Sequence, residues 1–166
     1  MIDSVLDNKE HENHMRRAIE LAQAAAQMGE VPVGAVVVYE GKIIGEGANQ
    51  REAQADPLGH AEMLALAQAS KHLGRWRLSG CTLYVTLEPC PMCAGALVNG
   101  RVTNLVFGAR DPKAGAAVSL FNIVNSNKLN HRLFVTEGVL KETCSLLLKD
   151  FFKKRRLENR TEKGLK

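Results

Sequence analysis

Between residues 10 and 28, apolar side chains recur three and four positions apart: Met15, Ala18, Ile19, Ala22, Ala25 and Ala26. That spacing predicts a helix with one buried stripe, and Gly29 follows as its stop. His11 and His14, at its start, read as surface residues. The pattern then changes period. VPVGAVVVY (31–39) is a continuous apolar run and predicts a buried strand, which Glu40-Gly41 turns into KIIGEGAN (42–49) as a hairpin. In Asp56-Pro57 the Asp is a candidate N-cap and the Pro a candidate first helical residue, opening a helix that contains HAEMLALAQA (60–69). CTLYVTLE (81–88) alternates and is rich in β-branched residues, so it predicts a strand. CPMCAGALVNG (90–100) reads as a short helix, TNLVFGA (103–109) as a strand, SLFNIV (119–124) as a short helix and HRLFVTEG (131–138) as a strand. KETCSLLLKDFFKKRR (141–156) closes the pattern as a long amphipathic helix.

The predicted order is α-β-β-α-β-α-β-α-β-α. Later strands alternate with helices, which implies parallel pairing through crossovers. The expected fold is α/β in three layers: a mostly parallel but mixed sheet of about five strands, entered through an antiparallel hairpin, with helices on both faces. Sites in such folds lie at the carboxyl ends of strands, where helices begin. With 166 residues, 45% of them apolar, and no repeat or Pro/Ser-rich linker, the chain reads as one domain over 1–166. Its N-terminus, MIDSVLDNKEHENHM, is polar and acidic rather than a signal peptide, and no apolar run is long enough to cross a bilayer. A soluble, cytoplasmic protein with no membrane partner is expected.

Charge changes the picture at one end. The net charge is +4, but eight basic residues from Lys149 to Lys166 face three acidic ones, so this tail carries +5 and residues 1–148 about −1. The basic helix and tail, about 141–166, include Phe151 and Phe152. Either this pair offers bases a stacking surface beside phosphate-binding charge, or it anchors the helix on the core.

The chemistry centres on LEPCPMCAG (87–95), which holds two of the four cysteines, Cys90 and Cys93. A C-x-x-C pair alone fits a redox dithiol, half of a structural zinc knot or a catalytic metal site. Nothing else in the chain supports redox work. A closed knot would have to recruit Cys81 and Cys144, which are distant in sequence and sit in a strand and a helix. The better partner is upstream, in GHAEM (59–63). His60 and Glu62 lie in a first helical turn, from which both can reach into a site off the helix end. Cys90 and Cys93, three apart, share a face at another helix start, where thiolate is favoured over thiol. His, Cys and Cys around a tetrahedral ion leave the fourth position open for water, the arrangement of catalytic rather than structural zinc. Glu62 is then a free carboxylate suited to moving protons.

H-x-E followed by P-C-x-x-C is the signature of the zinc-dependent cytidine and nucleobase deaminases. Within that superfamily the chain resembles the bacterial tRNA-specific adenosine deaminases from about Met15 to Arg156. The likeness lies in VPVGAVVV, ANQR, DPLGHAEMLAL, TLYVTLEPCPMCAGAL, VFGARDPKAGAAVSL, LNHR and LLLKDFFKKRR. One departure is Gly59 before His60, where the family commonly has Ala. The resemblance implies a cytidine-deaminase-like fold and hydrolytic conversion of adenosine to inosine at the wobble position, 34, of a tRNA anticodon. It implies one Zn²⁺ per subunit on His60, Cys90 and Cys93, with Glu62 as the catalytic acid/base. Asn49 resembles the family residue that contacts the target nucleoside, and Val31 and Leu87 resemble pocket walls. Arg110, Asp111 and Lys113 resemble a loop that touches neighbouring nucleotides. Phe152, Arg155 and Arg156 are stacking and phosphate candidates for an anticodon stem-loop. A homodimer is implied as well. Asn130, His131 and Arg132 fit the family pattern, either at the site or in positioning the next strand. The alternative is a deaminase of a free base or nucleotide, such as guanine or cytosine, which shares the motifs but has no use for the basic helix.

Overall fold

The structure, a computed structural model, describes residues 8–164. The first half of the acidic N-terminus, and Lys166 of the basic tail, lie outside the described residues.

Helix α1 (Asn8–Gln27) leads into strands β1 (Gly34–Tyr39) and β2 (Lys42–Ala48). Helix α2 (Ala61–Leu73), strand β3 (Thr82–Leu87), helix α3 (Pro91–Asn99) and strand β4 (Asn104–Ala109) follow. Strand β5 (Phe134–Glu137) and helix α4 (Lys141–Gly164) complete the chain. The strands form one sheet in the order β2-β1-β3-β4-β5.

The three layers follow from the side-chain alternation of β1. Ala35 and Val37 face one side, with Leu83 and Val85 of β3, against Ala61, Ala65 and Ala69 of α2 and Ala94 and Leu97 of α3. Val36 and Val38 face the other side, where α1 (Met15, Ala18, Ile19) and α4 (Cys144) pack with Tyr84 and Val106. Helix α2 lies almost in backbone contact with β2: a Cβ on Gly47 would fall 2.1 Å from the Ala61 carbonyl oxygen, and one on Gly45 would fall 2.2 Å from that of Ala65. These two glycines set the height of the α2 N-terminus above the sheet.

The sheet is mixed, with equal shares of both pairings rather than mostly parallel. β1 runs antiparallel to both β2 and β3, while β3–β4 and β4–β5 are parallel. The hairpin folds β1 back between β2 and β3, so the α2 crossover joins two strands that point the same way without touching.

Three local expectations are corrected. SLFNIV is not a helix; residues 119–124 are turns and irregular chain. Their N–H groups go elsewhere: Ser119 donates to the buried Glu88 carboxylate, Leu120 and Phe121 to the Gly115 carbonyl, and Ile123 to that of Ala116. Helix α2 begins at Ala61, not at Pro57. Asp56 instead closes a turn, accepting from the Leu58 N–H at 2.9 Å, because segment 50–59 folds on itself through bonds from Gln50 N–H to the Gly59 carbonyl and Asp56 N–H to the Arg51 carbonyl. His11 and His14 are not plain surface residues: His11 Nδ1 lies 3.0 Å from the Tyr84 hydroxyl, and the His14 ring packs 5.0 Å from the Tyr84 ring. A buried phenol in the middle of the sheet requires a polar partner, and α1 supplies it.

Candidate metal centre and active site

Both chemical motifs lie at helix N-termini, and in both a candidate ligand occupies the cap position. His60 caps α2 with extended backbone (φ −79°, ψ 143°), and Cys90 caps α3 likewise (φ −72°, ψ 171°). The His60 side chain does not accept the N–H bond that a capping residue ordinarily takes, while the Cys90 sulfur stays beside the first N–H groups of α3. The helices start through main-chain bonds alone, from Leu64 N–H to the His60 carbonyl and from Ala94 N–H to the Cys90 carbonyl. Pro91 opens α3 at a position where no N–H is needed. The imidazole and the thiol are therefore free to meet off the two helix ends.

They do meet. His60 Nδ1 lies 3.7 Å from Cys90 Sγ and 3.6 Å from Cys93 Sγ, and the three ligand atoms all fall within 4.8 Å of one another. With Zn–N of about 2.05 Å and Zn–S of about 2.3 Å, the N···S edge of a tetrahedron is about 3.6 Å. The donor set and its spacing thus fit one tetrahedral ion. Among the described residues this is the one such group of His, Cys, Asp and Glu. Cys81 and Cys144, the candidates for a closed knot, are free and buried elsewhere.

One of the two sulfur atoms is prepared for a cation. The hydrogen bond from Cys93 pulls the Cys90 thiol down to about 5, helped by the N–H groups of Cys93 and Met92 at the start of α3. The same pairing, followed by burial, pushes the Cys93 thiol up. Glu62, 4% exposed, lies in the same cavity; burial pushes its carboxyl up to about 7.

The cavity, about 210 Å³, opens over these groups at the end of the sheet where β2, β3 and β4 finish. Val31, Asn49, His60, Glu62, Leu87, Cys90 and Asp111 line it, while Cys93 lies buried behind. The Asn49 amide is already engaged, donating to the Val31 carbonyl at 3.1 Å and accepting from Arg51 N–H at 3.3 Å. Asp111 Oδ1 accepts from the N–H groups of Lys113 and Ala114, so this side chain also shapes a turn.

The remaining candidates stand outside the cavity. Arg110 makes a two-pronged ion pair with Glu137 on β5, at 2.6 and 2.7 Å, and Lys113 is exposed. On α4, Phe152 is 44% exposed and meets Phe151 edge-on at 5.4 Å. Arg155 stacks over Phe151 and donates to the Gly29 carbonyl at 3.4 Å, while Arg156 is exposed. His131 Nε2 bonds the Val102 carbonyl at 2.7 Å, just ahead of β5, and neither it nor Asn130 or Arg132 lines the cavity.

Sequence reading missed Val33, Arg51, Ala61, Glu88 and Ala114 in the lining. It also missed Glu30, 2% exposed, whose carboxylate accepts from Glu52 and Ala53 N–H and so holds the loop that carries Arg51. The available signal was an acid set into an apolar run: Glu30 ahead of VPVG, and Glu88 at the end of TLYVTL.

Residues 9–156 match the family described as MafB19-like deaminase. A tRNA-specific adenosine deaminase of Haemophilus influenzae is 52% identical over 155 residues, covering 93% of this chain and 90% of that protein. A solved structure from work on A-to-I editing by tRNA:A34 deaminases at the wobble position superposes with a TM-score of 0.79 at 37% identity, over 82% of this chain and 99% of that one. A guanine deaminase from Nitrosomonas europaea also superposes, with a TM-score of 0.73 at 28% identity, over 84% of this chain and 83% of that one.

Proposed function

We infer from these findings that this chain, which belongs to the MafB19-like deaminases and within them to the tRNA-specific adenosine deaminases, converts adenosine 34 of a tRNA anticodon to inosine with release of ammonia. The observation that carries the chemistry is the meeting of His60, Cys90 and Cys93 beside the buried Glu62 in one cavity. The sequence likeness carries the substrate, because guanine deaminases share the fold.

Zn²⁺, one per subunit, is the ion we place on His60, Cys90 and Cys93; when bound it supplies a Lewis acid that makes water a nucleophile near neutral pH. Glu62 takes one proton from the water that attacks C6 of adenine and delivers it to N1. It then takes the remaining hydroxyl proton and passes it to the amino group, which leaves as ammonia. The carboxylate ends as it began, and adenosine plus water gives inosine plus ammonia. Val31 and Leu87 form the apolar walls for the base, and Asn49 contacts the nucleoside. An anticodon loop is single-stranded, so turning one base into the cavity costs little.

Around the cavity we assign Asp111 and Lys113 to neighbouring nucleotides, together with Arg110 once it is freed from or shared with Glu137. Phe152, Arg155 and Arg156 supply stacking and phosphate contacts along α4. We read the chain as one deaminase domain over 1–166, acting as a homodimer in the cytoplasm. Among the described residues no helix is long and apolar enough to cross a membrane.

The deciding assay offers the zinc-loaded protein an anticodon stem-loop with adenosine at 34 and, separately, guanine and cytosine. Inosine from the stem-loop alone is the expected result. Ammonia from a free base and no inosine would establish the rival activity. Zinc and RNA binding with no product would make the chain a non-catalytic binding module.

A further inference from the structure

Glu88 is 2% exposed at the end of β3, two residues before Cys90, and the chemistry above gives it nothing to do. Its main-chain N–H continues the ladder to the Ala109 carbonyl at 2.8 Å. Its carboxylate collects one segment of chain. Oε1 accepts the N–H groups of Ala117 at 3.2 Å, Val118 at 2.7 Å and Ser119 at 2.8 Å. Oε2 accepts the N–H of Asp111 at 2.9 Å and the Ser119 hydroxyl. The next carbonyl, that of Pro89, takes the N–H of Ala116 at 2.8 Å.

Two carboxylate oxygens offer about four lone-pair sites, and five donors occupy them. Glu88 therefore has no acceptor capacity left for a substrate or for a travelling proton. No ion-pair partner for it is found among the described residues, so its charge is balanced by loop N–H groups and the Ser119 hydroxyl, and the loop in turn is shaped by that charge. Gly115 shows how closely the wrap is wound: a Cβ there would sit 2.3 Å from Glu88 Oε2 and 2.5 Å from the Asp111 carbonyl oxygen. The held segment, 111–119, supplies Asp111 and Ala114 to the cavity lining.

We propose that Glu88 is a positioning residue for the reaction, its carboxylate holding loop 111–119 as a preformed wall of the substrate cavity. This rests on the deaminase reading for its substrate. Without the hub, nine residues of loop would have to be ordered each time RNA binds, and that entropy would be subtracted from affinity.

The test uses the zinc-loaded full chain, with Glu88→Gln and Ser119→Ala. Gln keeps the volume but sets an amide NH₂ against N–H donors; Ser119→Ala removes one donor and leaves the carboxylate. Three quantities are read: metal per chain, deuterium exchange of the 111–119 amides without RNA, and KM and kcat on the adenosine-34 stem-loop. For Glu88→Gln we expect unchanged metal content, exchange at 111–119 faster by roughly tenfold or more with α2 and α3 unaffected, and KM raised about tenfold, more than kcat falls. Ser119→Ala shifts the same quantities in the same direction by less, and it decides the matter alone if Glu88→Gln fails to fold. Unchanged exchange at 111–119, faster exchange with KM within about twofold of the parent, or a rise in exchange spread over the whole molecule overturns the proposal. A parent protein that makes no inosine overturns the deaminase reading instead, while the exchange arm still reports whether Glu88 holds the loop.

Discussion

His60 Nδ1 stands 3.7 Å from Cys90 Sγ, across thirty residues of chain that include a whole helix and strand. Each residue occupies the cap position of its own helix, and His60 leaves its cap bond unmade. The start of α2 is thus less well capped than it could be, by about 1 kcal/mol, and the imidazole is released for a ligand.

Removing one ligand should remove the ion. Cys93→Ala, buried and behind the cavity, is expected to bring bound zinc from one per chain to near none, measured by elemental analysis after dialysis. The metal-dependent part of the thermal midpoint should vanish with it, because binding to the native state alone is what raises that midpoint.

Glu62→Gln separates holding the metal from moving the proton. It should keep zinc and stem-loop affinity while single-turnover deamination falls by about 10²-fold or more. Full turnover in this variant would show that another group carries the proton.

Arg155 and Arg156 lie on the exposed part of α4, with Arg155 only lightly tied to the Gly29 carbonyl. Arg155→Ala with Arg156→Ala should leave the thermal midpoint within a degree or two and weaken stem-loop binding. The slope of log K against log salt should flatten by about 1.4 if both arginines neutralise phosphates, at roughly 0.7 per single-strand contact. An unchanged slope, read by titration at several salt concentrations, would take this part of α4 out of the interface.

Arg17 pins α1 to β2 through a two-pronged bond to Glu46, at 2.7 and 2.9 Å, and this holds the Glu46 carboxyl below its usual range. The folded value is the lower one, so the pair's contribution is complete above the unfolded carboxyl value of about 4.3 and is lost as pH falls through the folded value. Thermal midpoints of the parent and Arg17→Ala should therefore differ by a constant amount near neutrality and converge in acid. The pair is partly exposed, so the difference should be small and should shrink with salt.

Gly47→Ala tests how tightly α2 is seated. A Cβ there meets the Ala61 carbonyl oxygen at 2.1 Å and must displace the N-terminus of the helix that carries His60 and Glu62. A loss of about 1–3 kcal/mol in urea unfolding is expected, with weaker zinc retention than the parent.

Much of this protein is legible in its sequence because the signals are local. The alternation of β1, the stripe of α1 and the spacing of Cys90 and Cys93 each depend on neighbours a few residues away, and so each element was foreseen within a few residues. The pairing of H-x-E with P-C-x-x-C pointed to one metal and one acid, since few chemistries use those groups together. Tertiary structure decided what depends on distant partners. SLFNIV carries only a weak helical preference, and its Leu120, Phe121 and Ile123 N–H groups bond back to the Gly115 and Ala116 carbonyls, five to seven residues earlier, in a wound loop instead of a helix. Arg110 reads as a free cation until β5 places Glu137 beside it. Glu30 and Glu88 are marked in the sequence only as acids beside apolar runs, and it is burial and converging N–H groups that turn them into the posts that hold two walls of the cavity. Sequence named the atoms that can bind a metal, because donor chemistry belongs to residue types. Only the fold could bring them to within 4.8 Å of one another and fix the walls around them, because those distances are set by how the helices sit on the sheet.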